Sequence, residues 1–135
     1  MNDQNTSGRM DRKREETRQK VIGAALALIG AHGYDAVTME QIAEKADIAK
    51  GTLYNYYTVK EAIIAEYIDR LSVERNAERI ERVRQLPDTR TRITLSLSEL
   101  LEAIQRQTEL FEKYFTYRVQ RMITLDRRAG RVSGL

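Results

Sequence analysis

The chain has 135 residues, of which 41% are hydrophobic and 32% charged, and its net charge is +3. This length fits one domain or a small module with an extension, and the basic excess is mild, so any nucleic-acid contact must come from local charge. The absence of cysteine and the single histidine exclude thiolate and clustered-histidine metal sites and most histidine-based catalysis. No apolar run is long enough to cross a bilayer. We therefore expect a cytoplasmic, mostly helical binding protein that has no catalytic residue, metal or cofactor and is not an enzyme.

The first predicted element is a helix that follows a polar start. Residues 1–10 are small and polar, which predicts a disordered arm. The apolar stripe of the helix runs over residues 21–29. Gly33 predicts its end, because glycine adopts the left-handed conformation that closes many helices. The basic residues before the stripe are Arg9, Arg12, Lys13, Arg14, Arg18 and Lys20.

Two short helices are predicted next. Thr38 and Gln41 have the spacing of a capping box, which predicts a helix over residues 39–46. A tight turn over residues 47–49 leads to a further short helix over residues 50–56. Two short helices joined by a three-residue turn, with a longer helix before them, predict a helix-turn-helix unit. In such a unit the amino end of the second helix faces the major groove of DNA.

The second short helix carries side chains suited to DNA. Lys50 supplies a cation, Gly51 allows close approach of the backbone to a phosphate, and Thr52 supplies a hydroxyl. Tyr54, Asn55 and Tyr56 add further polar groups at the ends of their side chains. At least one of the tyrosines in this helix should face outward, although packing of the small domain alone is an equally good explanation for them.

Three longer helices are predicted to follow, over residues 60–86, 89–107 and from about 110 onward. Pro87 and Asp88 separate the first two. The inward positions of the middle helix are predicted to be Ile93, Leu97, Leu100, Leu101 and Ile104.

The segment from Thr38 to Tyr57, with Lys60 and Glu61 after it, closely resembles the DNA-binding segment of the tetracycline-repressor (TetR) family. The run from Lys50 to Tyr54, at a fixed distance from Ile42 and Ala43, is its most specific part. The resemblance covers roughly residues 15–75. It implies an all-α fold with a three-helix head, a long connecting helix and a shortened body. The expected divisions are the arm at 1–10, a DNA-binding domain at 11–75 with its motif at 38–57, and a truncated dimerisation and effector body at 76–135.

The resemblance implies a homodimeric transcriptional regulator, most often a repressor, that binds a palindromic operator in double-stranded DNA. Thr38 would hold a phosphate, and Lys50 and Gly51 would lie at the groove. The positions that would touch bases or nearby backbone are Thr52, Tyr54 and Asn55. Tyr56 and Lys60 would clamp phosphates, while the core would contain Ile42, Ala43 and Leu53.

The sequence departs from the family pattern at the turn and in length. Asp47 replaces a usual glycine, and aspartate tolerates the left-handed conformation better than most residues. Ala49 replaces a common serine cap, and Val59 replaces a usual capping residue. The short body leaves the dimerisation mode open. It also leaves open an alternative function, that of a helical interaction module or fragment that pairs with a full-length relative and has no operator of its own.

A small-molecule effector also stays open. The aromatic residues of the last helix could be the remnant of an effector pocket, or ordinary core, or an exposed patch. These residues are Phe111, Tyr114 and Phe115.

Overall fold

The computed structural model describes residues 3–132, with side chains described for residues 6–128. The helices in this range are α1 (Asp3–His32), α2 (Met39–Lys45), α3 (Lys50–Tyr56), α4 (Lys60–Arg84), α5 (Thr89–Arg106) and α6 (Thr108–Val132). No strand occurs among the described residues, and the predicted all-α fold is confirmed. The chain divides into two compact units, one reaching Ile64 and the other starting at Ala65, within α4. The division into a head at 11–75 and a body at 76–135 stays a prediction.

The polar start is helical in the structure. α1 begins at Asp3, whereas a disordered arm is predicted over residues 1–10. Residues 6–14 are exposed, so burial contributes little to this part of the helix. Once a helix is nucleated, each added residue forms one more hydrogen bond, so the packed part of α1 can extend toward the amino end. Met1 and Asn2 lie outside the described residues.

Gly33 ends α1 as predicted. Its φ is 83°, in the left-handed region, and its N–H donates to the Ile29 carbonyl at 2.8 Å. An added β-carbon at this position would meet no atom within 4 Å, so the requirement for glycine comes from the backbone conformation alone.

The predicted capping box opens α2. The Thr38 hydroxyl accepts a hydrogen bond from the Gln41 N–H at 3.2 Å, and the Gln41 side chain accepts one from the Thr38 N–H at 3.0 Å. The reciprocal bonds satisfy two amide groups that the first turn of a helix would otherwise leave without partners.

The turn between α2 and α3 is a Schellman motif. The Asp47 N–H donates to the Glu44 carbonyl at 3.1 Å, and the Ile48 N–H donates to the Ala43 carbonyl at 3.0 Å. Asp47 has a φ of 56°, so the aspartate adopts the left-handed conformation expected of it. Ala49 follows as the N-cap of α3 and supplies no side-chain hydrogen bond.

The first unit has a continuous apolar core. α1 packs against α2, and α2 packs against α3. The buried side chains are Val21, Ile22, Ala24, Ala25, Ile29, Tyr34, Val37, Met39, Ile42, Ala43, Ala46, Leu53, Tyr57, Ile63 and Ile64. The predicted core positions Ile42, Ala43 and Leu53 are therefore confirmed, and α2 and α3 are both anchored in this core.

The second unit buries less apolar surface. α5 packs against α6, and the buried hydrophobic residues among the described positions of this unit are Ala65, Ile68 and Leu110. A polar cluster joins α4 to α6. The Asp69 carboxylate accepts a hydrogen bond from the Tyr114 hydroxyl at 2.9 Å and pairs with the Arg118 guanidinium.

The prediction of inward side chains on α5 is wrong for four of its five residues. Ile93, Leu97, Leu100 and Leu101 are 55%, 54%, 44% and 57% exposed, while Ile104 is half-buried. Periodicity identifies the side chains that share a helix face, and here that face exists. Burial also requires an element that covers the face, and the described elements leave these four side chains about half exposed.

Candidate nucleic-acid interface

α3 presents a polar face outward because its opposite face is fixed in the core. Leu53 and Tyr57, one helical turn apart, are buried. The remaining positions of the first turns are exposed, namely Lys50, Gly51, Thr52, Tyr54 and Asn55. The expectation of an outward phenol is met by Tyr54, which is 40% exposed. Five of the predicted contact residues are thus accessible at the surface of α3.

Lys50 is held from two sides in the free protein. Its ammonium lies 2.6 Å from a carboxylate oxygen of Glu40, and both side chains are more than half exposed. The ammonium also lies 5.9 Å from the centre of the Tyr54 ring, within the range of a cation–π contact. The position of the cation at the start of α3 is therefore defined by α2 as well as by α3.

The ion pair shifts the pKa of both partners. The hydrogen bond from Lys50 is the main cause that lowers the pKa of Glu40 below its ordinary value. The same bond is the main cause that raises the pKa of Lys50. Each shift favours the charged form of the group, as expected for partners of opposite charge.

Thr38 and Tyr56 lie at the edges of this face. Thr38 is exposed, although its hydroxyl already accepts the capping bond from Gln41. Tyr56 is half-buried, and the Arg18 guanidinium of α1 lies 5.8 Å from the centre of its ring. α1 therefore brings a further cation next to the end of α3.

Lys60 has internal partners. Its ammonium donates to the Tyr34 carbonyl at 2.7 Å and to the Val37 carbonyl at 3.1 Å, and it lies 4.3 Å from the centre of the Tyr34 ring. These contacts join the start of α4 to the connection between α1 and α2. The phosphate contact predicted for Lys60 would compete with all three of them, and it stays a prediction.

Glu40, the ion-pair partner of Lys50, is not among the residues predicted for this site. The two residues are ten positions apart and come from different helices, so no helical periodicity relates them. The two residues have opposite charges and lie in the first turns of two helices joined by a tight turn, and this pattern would have indicated the pair. Glu66 and Arg70, in contrast, are four positions apart on α4 and form an ion pair at 3.2 Å.

The aromatic residues proposed as a pocket remnant lie on α6, in the second unit. Phe111 is half-buried and lines a cavity of about 600 Å³. The other large or charged side chains of its lining are Ile68, Leu71, Leu100, Arg75, Arg79, Arg82, Arg106, Glu78, Glu99 and Glu102. Tyr114 is half-buried and donates to Asp69. Phe115 is 49% exposed, with its ring centre 5.3 Å from that of Tyr114. Of the three, Phe111 lines the cavity.

Residues 21–67 match the family model described as "Bacterial regulatory proteins, tetR family". This match includes the end of α1, both short helices and the start of α4. The chain is 37% identical over 101 residues to the HTH-type transcriptional repressor KstR of Rhodococcus jostii, covering 73% of this chain and 45% of that protein. It is 34% identical over 98 residues to KstR of Mycolicibacterium smegmatis, covering 72% and 48%. The chain thus spans about half the length of these curated relatives.

Among solved structures, the chain is similar to Thermus thermophilus FadR, a TetR-family transcriptional repressor in complex with lauroyl-CoA. The TM-score is 0.64 at 26% identity, over 70% of this chain and 48% of that one. Within the described residues, no helix is long and apolar enough to cross a membrane. The family match and the relatives agree with the geometry of α2 and α3, and residues 21–67 of the chain belong to the TetR family of bacterial regulatory proteins.

Proposed function

We propose that this chain binds a specific sequence in double-stranded DNA through the outward face of α3 and represses transcription by blocking a promoter. The observation that carries the proposal is the anchored geometry of α3. Leu53 and Tyr57 fix one face in the core, so that Lys50, Thr52 and Asn55 are held outward. Its relatives from Rhodococcus and Mycolicibacterium are described as transcriptional repressors. As a DNA-binding protein, it would act in the cytoplasm.

The roles of the side chains follow from their chemistry. Lys50 and Tyr54 are suited to phosphate oxygens, and Gly51 lets the backbone approach the duplex closely. Thr52 and Asn55 are suited to base edges, since a hydroxyl bonds to several bases and an amide can make two bonds to adenine. Thr38 and Tyr56 would add phosphate contacts at the edges of the face.

A second copy of the chain would complete the site. α3 has seven residues, so it is about 10 Å long and spans roughly three base pairs. Helix-turn-helix proteins overcome this limit as dimers whose half-sites lie about 34 Å apart. We therefore propose a homodimer on a palindromic operator.

The test starts with selection of bound duplexes from a randomised library, followed by fluorescence-anisotropy titrations at several salt concentrations. We expect an inverted repeat, and log affinity that falls with log salt by about 0.9 per phosphate contact. Lys50→Ala should weaken binding to all duplexes, whereas Thr52→Ala and Asn55→Ala should relax the base preference. Arg127→Ala, which removes an exposed charge from α6, is the matched control.

Two results would contradict this proposal. One is a selection that yields no sequence bound more tightly than random duplex. The other is unchanged binding by Lys50→Ala. Failure to bind DNA, together with tight binding to a longer relative, would favour the alternative of an interaction module.

We further propose that the cavity of the second unit binds a small-molecule effector. Its volume lies within the range of about 300–1,000 Å³ typical of ligand sites. Apolar side chains line it together with four arginines and three glutamates, and Arg82 and Arg106 form ion pairs with Glu99 and Glu102. The lining therefore keeps an excess of one positive charge, which suits a ligand with an apolar chain and an anionic group. FadR of Thermus thermophilus binds such a molecule, lauroyl-CoA.

Titration of the DNA complex with lauroyl-CoA tests this second proposal. We expect release of DNA by lauroyl-CoA but not by coenzyme A alone, and a weaker response in Phe111→Ala. An anisotropy signal that saturating lauroyl-CoA leaves unchanged would refute this ligand chemistry.

A further inference from the structure

We propose that Glu40 is a built-in competitor of DNA phosphate for Lys50, and that it sets the affinity of the chain for DNA. In the free protein the Glu40 carboxylate forms an ion pair with the Lys50 ammonium, the group that would contact the duplex. Binding through Lys50 therefore requires exchange of one anionic partner for another. The proposal rests on the proposed DNA-binding function.

The position of Glu40 is fixed by the backbone around it. Glu40 lies in the first turn of α2, directly after the capping box formed by Thr38 and Gln41. Lys50 is the first residue of α3, which begins after the Schellman turn at Asp47. Both backbones are thus held by hydrogen bonds, and the 2.6 Å contact between the side chains follows from the helix-turn-helix geometry.

The pair is exposed, so exchange is possible. The Lys50 and Glu40 side chains are 58% and 55% exposed, and a phosphate oxygen could reach the ammonium without any movement of the backbone. A phosphate and a carboxylate offer the same type of charge-assisted bond to a lysine. The carboxylate would also lie close to the DNA backbone, where like charge opposes binding. Both effects lower affinity, and the first acts only through Lys50.

The contact between Glu40 and Lys50 shifts the pKa of each partner. The main cause for each partner is the hydrogen bond to the other, and it favours the charged form of both. The carboxylate is therefore available as a competitor at neutral pH.

A double-mutant cycle separates competition for Lys50 from simple repulsion of DNA. Four forms of the full chain are compared, namely the wild type, Glu40→Gln, Lys50→Gln and the double variant. Each is titrated with the selected duplex and with random duplex. We expect Glu40→Gln to raise affinity for both duplexes about two- to fivefold, the order of one exposed ion pair. In the Lys50→Gln background the same change should have much less effect.

The salt dependence supplies a second readout. If Glu40→Gln frees Lys50 for a phosphate, the slope of log affinity against log salt should become steeper by up to about 0.9. Glu44→Gln is the matched control, since it removes an exposed carboxylate from the same helix. It should leave the slope unchanged and have an equal effect with or without Lys50.

The outcomes distinguish this inference from the function on which it rests. Absence of DNA binding by every variant would refute the proposed function. DNA binding by the wild-type chain with Glu40→Gln unchanged would overturn the competition alone. Equal gains from Glu40→Gln with Lys50 present and in the Lys50→Gln background would also overturn it, because repulsion would then explain the whole effect.

Discussion

Replacement of Lys60 by methionine should destabilise the first unit, because the Lys60 ammonium satisfies two carbonyl groups. It donates to Tyr34 and Val37 at 2.7 and 3.1 Å and lies over the Tyr34 ring. Hydrogen bonds from a charged donor contribute about 1.5–3 kcal/mol each where they are buried, and a cation–π contact about 0.5–2 kcal/mol. Lys60 is half-buried, so solvation of the freed carbonyls offsets part of this sum. We expect a net loss of about 2–3 kcal/mol.

The assay is thermal and urea unfolding followed by circular dichroism. A loss of this size should lower the unfolding midpoint by about 10–20 °C for a unit of this size. Lys45→Met, at an exposed position in the last turn of α2, should change stability by less than about 0.5 kcal/mol. An unchanged midpoint for Lys60→Met would refute the structural role. If DNA affinity then fell more than about tenfold, Lys60 would be the phosphate contact that the family resemblance implies.

Three further predictions concern local structure, and urea titrations check the first two. Gly33→Ala should lower the free energy of unfolding by about 1 kcal/mol because of the positive φ at this position. Gly30→Ala, at an exposed helical position, should raise it by about 0.5–1 kcal/mol. A change of the same sign in both variants would contradict this prediction. Ala49→Ser should stabilise by about 1 kcal/mol by supplying the missing cap of α3, and no gain would show that the introduced hydroxyl does not cap the helix. Asp88 caps α5, and the hydrogen bond from the Thr91 N–H lowers its pKa. Its contribution to stability is therefore present above the ordinary carboxyl pKa and is lost as pH falls through the lowered value. Asp88→Asn should flatten this acid dependence, as measured by unfolding midpoints along a pH series, and an unchanged dependence would exclude Asp88 as its source.

The sequence predicted the elements whose determinants lie within a few positions of one another. The bonds between Thr38 and Gln41 and the end of α1 at Gly33 depend on residues at most four positions apart. Local chemistry and helical geometry suffice for predictions of this kind. The left-handed Asp47 and the buried Leu53 are instead expected from the family resemblance, and the structure has both.

The contacts that cross between elements could not be predicted in the same way. The pairing of Lys50 with Glu40 requires the relative placement of α2 and α3, and that of Lys60 with Tyr34 requires the placement of α4. The exposure of Leu97 on α5 depends on what covers the helix, which periodicity does not specify. These properties belong to tertiary packing.

The small apolar core of the second unit implies graded stability within the chain. Ala65, Ile68 and Leu110 are its buried hydrophobic side chains over the described residues, and the first unit buries several times as many. Segments with few buried contacts open at lower free energy, and their amide protons exchange with solvent sooner. The amides of α5 and α6 should therefore exchange well before those of α2 and α3. The helices that carry Lys50 and Thr52 would then stay ordered while α5 and α6 open transiently.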